Sequence, residues 1–462
     1  MFRVVNLAVM GMAAFLAAIP GCAATAAEIA VPAGAAPMQA AVDAAAPGDV
    51  LRLAPGEHRG PVIIAKPLTL QGDPGASLKG NGQGSVVTLL APDAAVRGLE
   101  IEGSGMDLDA MDAGVFATET ATRAQIENNS VVGNLYGIYL HGARDSVARN
   151  NRIEGLREGR ISRSGSGVSV WNAPGAKVIG NDIRFGRDGI FANASRNNEF
   201  KGNAFANLRF GVHYMYTNDS VIADNVSTGN IVGYAIMYSN GLKVTGNVSD
   251  GDRDNGLLLN YANGSEISGN VVRGGPQPAG RWTSNGQRFV ADQDLPAGDG
   301  AAPVLATPSG MRIGPEKCVF IYNANKNRFS GNLFEGCEIG VHFTAGSEGN
   351  AMTGNAFVRN RNQVKYVGTR SLDWSSGGRG NYWSDNPAFD LDGDGVADKP
   401  YRPNDMIDRV LWQTPAAKVL VNSPAVQVIR WAQARFPGVF PGGVMDSHPL
   451  MYPDGIEKRG KP

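Results

Sequence analysis

The chain has 462 residues, a formal net charge of −1, 61 glycines and only 18% charged residues. Such a length exceeds what one compact core fills, so several domains or a repeat are expected. The balanced charge leaves no basic surplus for nucleic acid, and a Gly-rich, charge-poor composition suits many short strands joined by tight turns.

The N-terminus reads as a leader. Arg3 precedes an apolar run from Val4 to Ile19, and Ala24-Thr25-Ala26 offers a small-residue cleavage site. This is the layout of a signal peptide over residues 1–26, and the run is short for a membrane span. Ile19-Pro20-Gly21-Cys22 also resembles a lipobox, with an unusual proline in its middle. Lipidation at Cys22 is the lesser reading, and in either case the mature chain lies outside the inner membrane.

An Ala-rich stretch from Pro37 to Ala46, closed by Pro47-Gly48, predicts a short helix able to cap a solenoid end. Val50–Leu53, Val62–Ile64 and Leu68–Leu70 then read as strands. Further on, Gly-Asn or a near variant recurs with its Asn at 151, 181, 203, 225, 247, 270, 332, 355 and 381. Most steps are 22 or 23 residues, and steps of 30 before Asn181 and 62 before Asn332 mark insertions. A second marker keeps this rhythm at Gly137, Gly167, Gly189, Gly211, Gly233, Gly256 and Gly340, each followed by strand-like alternation.

Coils of this length are too short for strand–helix–strand units, and parallel crossovers are right-handed. The fold class is therefore all-β, a single-stranded right-handed parallel β-helix over residues 27–385, with aliphatic residues such as Ile190, Ala192, Ile236 and Leu242 inside. The recurrent Asn is expected to form an internal ladder of side-chain amides. A Pro- and Gly-rich stretch at 275–315 breaks the rhythm and reads as a long inserted loop, a place where binding residues gather.

With each marker Gly as zero, residues +1 and +3 point inward and +2 and +4 toward solvent. The +2 column reads Tyr139, Ser169, Phe191, His213, Ala235, Leu258 and His342; the +4 column reads His141, Trp171, Asn193, Met215, Met237, Asn260 and Thr344. Cys318 fits the zero position of another coil and adds Phe320 and Tyr322. These columns hold no Asp, Glu, Lys or Arg. A polysaccharide lyase or glycosidase needs carboxylates, or a carboxylate with bases, close together on such a face. Carboxylates do stand in turns at Asp219, Asp250, Asp252 and Asp254, so a lyase or epimerase is disfavoured, not eliminated.

What the face offers is soft and aromatic. His213 and Met215 are two apart on one strand, about 6.5 Å, and Met237 stands 22 residues after Met215, about 4.8 Å away on the next coil. An imidazole with two thioethers suits Cu(I). The competing reading is that these side chains only pack beneath a loop. Neither His141 nor His342 can share the site unaided, being three and several coils distant. Tyr216, Tyr238 and Tyr261 repeat at steps of 22 and 23 and read as an aromatic ladder.

After the leader two cysteines remain, Cys318 and Cys337, 19 residues apart. A bridge between adjacent coils and a pair of buried thiols are both open. Residues 386–462 form a separate C-terminal segment. In it Asp390, Asp392, Asp394 and Asp398 stand at positions 1, 3, 5 and 9 of a loop with Gly395 at 6. This resembles the start of a calcium loop, but position 12 is Tyr401, so the usual bidentate Glu is missing. Ser423-Pro424 then opens a helix whose Ala425, Val428, Ile429, Ala432 and Phe436 share one apolar face. That face is expected either to cap the last coil or to meet a membrane partner.

Several stretches resemble the NosD family, the periplasmic β-helix proteins of nitrous oxide reductase maturation. They are Gly211-Val212-His213-Tyr214-Met215-Tyr216-Thr217-Asn218, Gly233-Tyr234-Ala235-Ile236-Met237-Tyr238-Ser239, Gly380-Asn381-Tyr382-Trp383-Ser384-Asp385 with the Asp-rich run, and Tyr401-Arg402-Pro403-Asn404-Asp405. The resemblance covers nearly the whole mature chain. It implies a periplasmic, non-enzymatic partner of an ABC transporter of membrane and ATPase subunits, acting with a copper chaperone lipoprotein to supply copper to nitrous oxide reductase. The family supplies no ligand assignment; His213, Met215 and Met237 rest on spacing alone. The rival readings are a lyase or epimerase acting on uronate polymers, and a carbohydrate-binding solenoid using Tyr139, Trp171 and Phe191.

Overall fold

A computed structural model of the protein describes residues 26–34, 36–282, 310–420, 422–436, 442–453 and 456. The leader with Cys22 and the tip of the long insertion lie outside the described residues.

The chain winds as a right-handed parallel β-helix. Each coil contributes one strand to each of three sheets, which among the described residues contain 13, 13 and 12 strands in order along the coil. Neighbouring coils pair in parallel with a constant register, as in Ile190↔Val212↔Tyr234↔Leu257 of the third sheet. Two of the expected strands, Val50–Leu53 and Val62–Ile64, occur with those bounds, and the third is shifted to Thr69–Gly72. Inward positions are fully buried, including Ile190, Ala192, Ile236 and Leu242. Each such Ile or Leu side chain contributes about 1.5–3 kcal/mol of hydrophobic stabilisation.

Two kinds of glycine set the coil. Those before the ladder Asn, such as Gly180 and Gly202, take left-handed backbone at φ 66° and 65°, which only glycine adopts without cost. The marker glycines are needed for space: a Cβ on Gly189 would stand 2.4 Å from the carbonyl oxygen of Gly211 and 2.5 Å from the Phe205 ring.

The Asn ladder runs at the corner between first and second sheets. Asn203 donates through Nδ2 to Asn225 Oδ1 at 2.9 Å, Asn225 to Asn247 at 2.9 Å and Asn247 to Asn270 at 3.0 Å, all buried. The ladder ends on Asp446, which accepts from Asn381 N at 2.7 Å and from Trp383 Nε1 at 2.8 Å.

All three long excursions leave from the corner between second and third sheets. Residues 103–112 separate strands Glu100–Glu102 and Ala113–Ala117, residues 155–167 separate Arg152–Glu154 and Val168–Trp171, and residues 274–316 separate Val271–Arg273 and Lys317–Tyr322. The last has an antiparallel stem, Gly275–Pro278 against Met311–Gly314. Just beyond it, Cys318 and Cys337 form a disulfide with Cα atoms 5.7 Å apart, joining two adjacent coils.

Both ends are covered. Helix α1 (Met38–Ala44) seats Met38 and Val42 on the first coils. At the other end Trp383 stacks on Phe357 at 4.2 Å, with Trp374 beside it. Helices α2 (Met406–Gln413) and α3 (Pro424–Arg435) follow, the latter N-capped by Ser423. The apolar face of α3 does not cap the solenoid: Val426 and Gln433 are buried, whereas Val428, Ile429, Trp431 and Phe436 are exposed. Arg430 pairs with Asp405 at 2.7 Å and Gln433 accepts from Met406 N, so polar contacts to the start of α2 decide which side faces inward.

Candidate metal site

His213 and Met215 lie on the third-sheet strand Phe210–Met215, and Met237 ends the next, Val232–Met237. Met215 and Met237 are register partners, as are His213 and Ala235. The two thioethers therefore rise side by side with the imidazole on the same face of the sheet.

The outward columns are less open than alternation predicts. His213 is 7% exposed, Tyr139 8% and Ser169 1%, while Met215 and Met237 are half-buried. Coils only about 4.8 Å apart let large side chains in one column cover their neighbours. The His213 ring lies 5.1 Å from Phe191 and 4.8 Å from Phe210, and Arg209 covers Phe210 at 4.4 Å.

A carboxylate that column reading missed stands beside this imidazole. Asp188 accepts from His213 Nδ1 at 3.1 Å, and from Arg209 Nε at 2.8 Å and Nη2 at 2.6 Å. Burial alone would raise the Asp188 carboxyl, but hydrogen bonds from His213 and Arg209 outweigh it and hold the group below the usual carboxylate range. Asp188 pairs with Phe210, one residue before the marker Gly. Its sequence signal is a −1 column, outside the +2 and +4 columns. The columns also gain a cation, since Lys365 is the register partner of His342. The expectation of a face without charged groups is thus corrected at both places.

The other histidines stand apart. His141, three strands before Met215, stacks on Trp171 at 4.4 Å. His342, four strands after it, is pushed down to about 4 by burial together with the charges of Lys365 and Lys317. Phe320 and Tyr322 join the columns as register predicts. Tyr216, Tyr238 and Tyr261 stack with centroids 5.0 and 5.1 Å apart. Their faces cover each other, leaving edges toward solvent.

In the C-terminal segment, ligand atoms of Asp390, Asp392 and Asp394 lie within 4.8 Å of one another. Asp398 is not in this group and accepts from Leu391 N at 2.9 Å. Asp390 accepts from Gly393 N at 2.7 Å and Gly395 N at 2.9 Å, so the glycines fold the loop around it. The Gly395 amide above all lowers the Asp390 carboxyl; at Asp392 the Asp394 amide pulls down, but the Asp390 hydrogen bond and the Asp394 charge push the group up.

These features define a class: a right-handed parallel β-helix whose third sheet gathers one imidazole and two thioethers on one face. The chain belongs to the NosD family. The family model described as "Periplasmic copper-binding protein (NosD)" matches residues 155–388, which include His213, Met215 and Met237, and a protein family of unknown function (DUF1565) matches residues 36–233. A "Probable ABC transporter binding protein NosD" of Stutzerimonas stutzeri is 42% identical over 400 residues, 87% of this chain and 86% of the relative. A protein of the same name from Pseudomonas aeruginosa is 38% identical over 408 residues, 88% of this chain and 89% of the relative. Solved structures are more distant. The Dettilon tailspike protein is 16% identical with a TM-score of 0.48 over 69% of this chain and 62% of its own. An alginate lyase from Paenibacillus sp. str. FPU-7 is 19% identical with a TM-score of 0.44 over 53% and 95%. Similarity of that size bears on neither ligand nor chemistry. Among the described residues no helix is long and apolar enough to cross a membrane.

Proposed function

We propose that the chain is a periplasmic accessory protein of nitrous oxide reductase maturation. It takes Cu(I) from a copper chaperone lipoprotein, holds it transiently at His213, Met215 and Met237, and docks on the membrane and ATPase subunits of an ABC transporter. The observation that carries this reading is the register pairing of Met215 with Met237 beside an imidazole whose Nδ1 is engaged by Asp188. Soft, uncharged donors match Cu(I) and leave its charge uncompensated, which favours handing the ion on over storing it. The test is an anaerobic Cu(I) titration against a chromophoric chelator, with a Met215→Ala/Met237→Ala variant alongside. Loss of tight binding in the variant supports the site; unchanged stoichiometry sinks it.

The docking half of the reading draws support from α3, where Trp431 is 61% and Val428 64% exposed. The Asp390, Asp392 and Asp394 loop, with Asp398 bracing it, is assigned a calcium ion that stiffens this segment. Calcium that leaves thermal unfolding of the wild type and an Asp390→Ala variant alike would remove that assignment. A second reading, a β-helix polysaccharide lyase or epimerase, is favoured only by the Asp188–His213 pair, which has the composition of a base. It predicts turnover of uronate polymers that is abolished in His213→Ala.

A further inference from the structure

We infer that Asp188 is a positioning residue that makes Nε2 of His213 the copper-ligating atom; this rests on the copper reading above. An imidazole has two nitrogens, and the neutral ring carries its proton on one of them. At His213 Nδ1 two groups are in reach, Asp188 Oδ2 at 3.1 Å and Arg209 Nη2 at 3.4 Å; the guanidinium is already committed to Asp188 at 2.6 Å, so the nearer carboxylate sets the choice. Asp188 is a buried carboxylate whose two oxygens both accept from the Arg209 fork, at 2.8 and 2.6 Å, the arrangement of an acceptor. It has no proton to give, so the bond at 3.1 Å runs from Nδ1–H to the carboxylate. Nε2 then bears the lone pair, and it makes no hydrogen bond to any described residue.

The supports are themselves fixed. Asp188 and Phe210 are register partners on adjacent strands, so the carboxylate is built into the sheet one coil before His213. Arg209 spans them, holding Asp188 with its fork and lying over Phe210, whose ring meets the imidazole edge-on. The ring can neither turn over nor swing without breaking these contacts. A ligand held this way loses little freedom when the metal arrives, and partners of this kind are worth about 10–100-fold in metal affinity.

The test has one arm without copper. The protein has five histidines, so ring-15N histidine labelling with a His213→Gln variant assigns the resonance of interest. Long-range 15N–1H correlation then reports which nitrogen holds the proton. The expected result is Nδ1–H at His213 in the wild type and a shift toward Nε2–H in Asp188→Ala. In the second arm Cu(I) affinity falls about 10–100-fold in Asp188→Ala and by less in Asp188→Asn, whose amide oxygen still accepts from Nδ1. Asp188→Asn also serves should the alanine variant fold poorly. An Nε2–H wild type, or undiminished affinity in folded Asp188 variants, overturns the assignment while leaving the copper site standing. A wild type that binds no Cu(I) overturns the copper reading and this role with it.

Discussion

Replacing Asn225 by Ala removes one rung of the buried ladder. Its side chain makes four hydrogen bonds: Nδ2 donates to the Phe200 carbonyl and to Asn247 Oδ1, and Oδ1 accepts from Asn203 N and Nδ2, each at 2.9 Å. A net contribution of about 1 kcal/mol apiece, with the Asn203 backbone N–H stranded away from water, sets the loss at about 3–5 kcal/mol. The control is Asn240→Ala on the exposed ladder, where Nδ2 donates to Asn218 Oδ1 at 3.3 Å and Oδ1 accepts from Asn263 Nδ2 at 3.0 Å. Water replaces those bonds, so the cost there stays below about 1 kcal/mol. A solenoid opens locally, so amide hydrogen exchange resolved by coil is the proper assay. Protection of the coils around residues 203–247 should fall by about two to three and a half orders of magnitude, at 1.4 kcal/mol per tenfold. Equal losses in the two variants, or less than about 1 kcal/mol at Asn225, would refute the view that buried amides hold the coils in register.

Three further outcomes are expected. Burial pushes the Asp252 carboxyl up to about 7, against hydrogen bonds from Ser249 and Ser227; the folded state thus keeps a proton that the unfolded chain loses near pH 4. The stability this adds is present at low pH and lost as pH rises through about 7, so Asp252→Asn should flatten the urea-midpoint profile across that window and raise stability above it. Opening the Cys318–Cys337 bridge, whose partners are 19 residues apart, should cost about 3 kcal/mol, read by calorimetry of the double Ser variant. Trp431→Ser should leave the melting temperature nearly unchanged, since surface changes stay within about 0.5 kcal/mol, yet abolish pull-down of the transporter subunits.

The coil was legible because its determinants are local and repeat: Gly where the backbone turns left-handed, Asn where an amide must bridge, alternating aliphatics between. Helix α1 and the Ser423 cap were readable for the same reason. The surroundings of His213 were not, since Asp188 lies 25 residues away in sequence and touches it only through the register of two strands. The side of α3 that faces inward was hidden too. Apolar patterning marks a face but not which side packs, and here one ion pair with Asp405 and one amide contact decided it.

The shared corner of the three excursions has a consequence for how this protein changes over time. At the corner between first and second sheets the Asn amides tie each coil to the next, and the corner between third and first sheets is filled by the Tyr stack and the Asn218, Asn240 and Asn263 amides. An insertion at either place interrupts a long column; the corner between second and third sheets carries only short buried runs, such as Leu208 N on Asn230 and Asn230 N on Asp252, and the excursions leave between them. New segments can therefore accumulate on one seam, each at a height set by whole coils of about 4.8 Å. The solenoid acts as a ruler with a single row of mounting points, and segments fitted there stand along the same edge as Asp188 and Arg209.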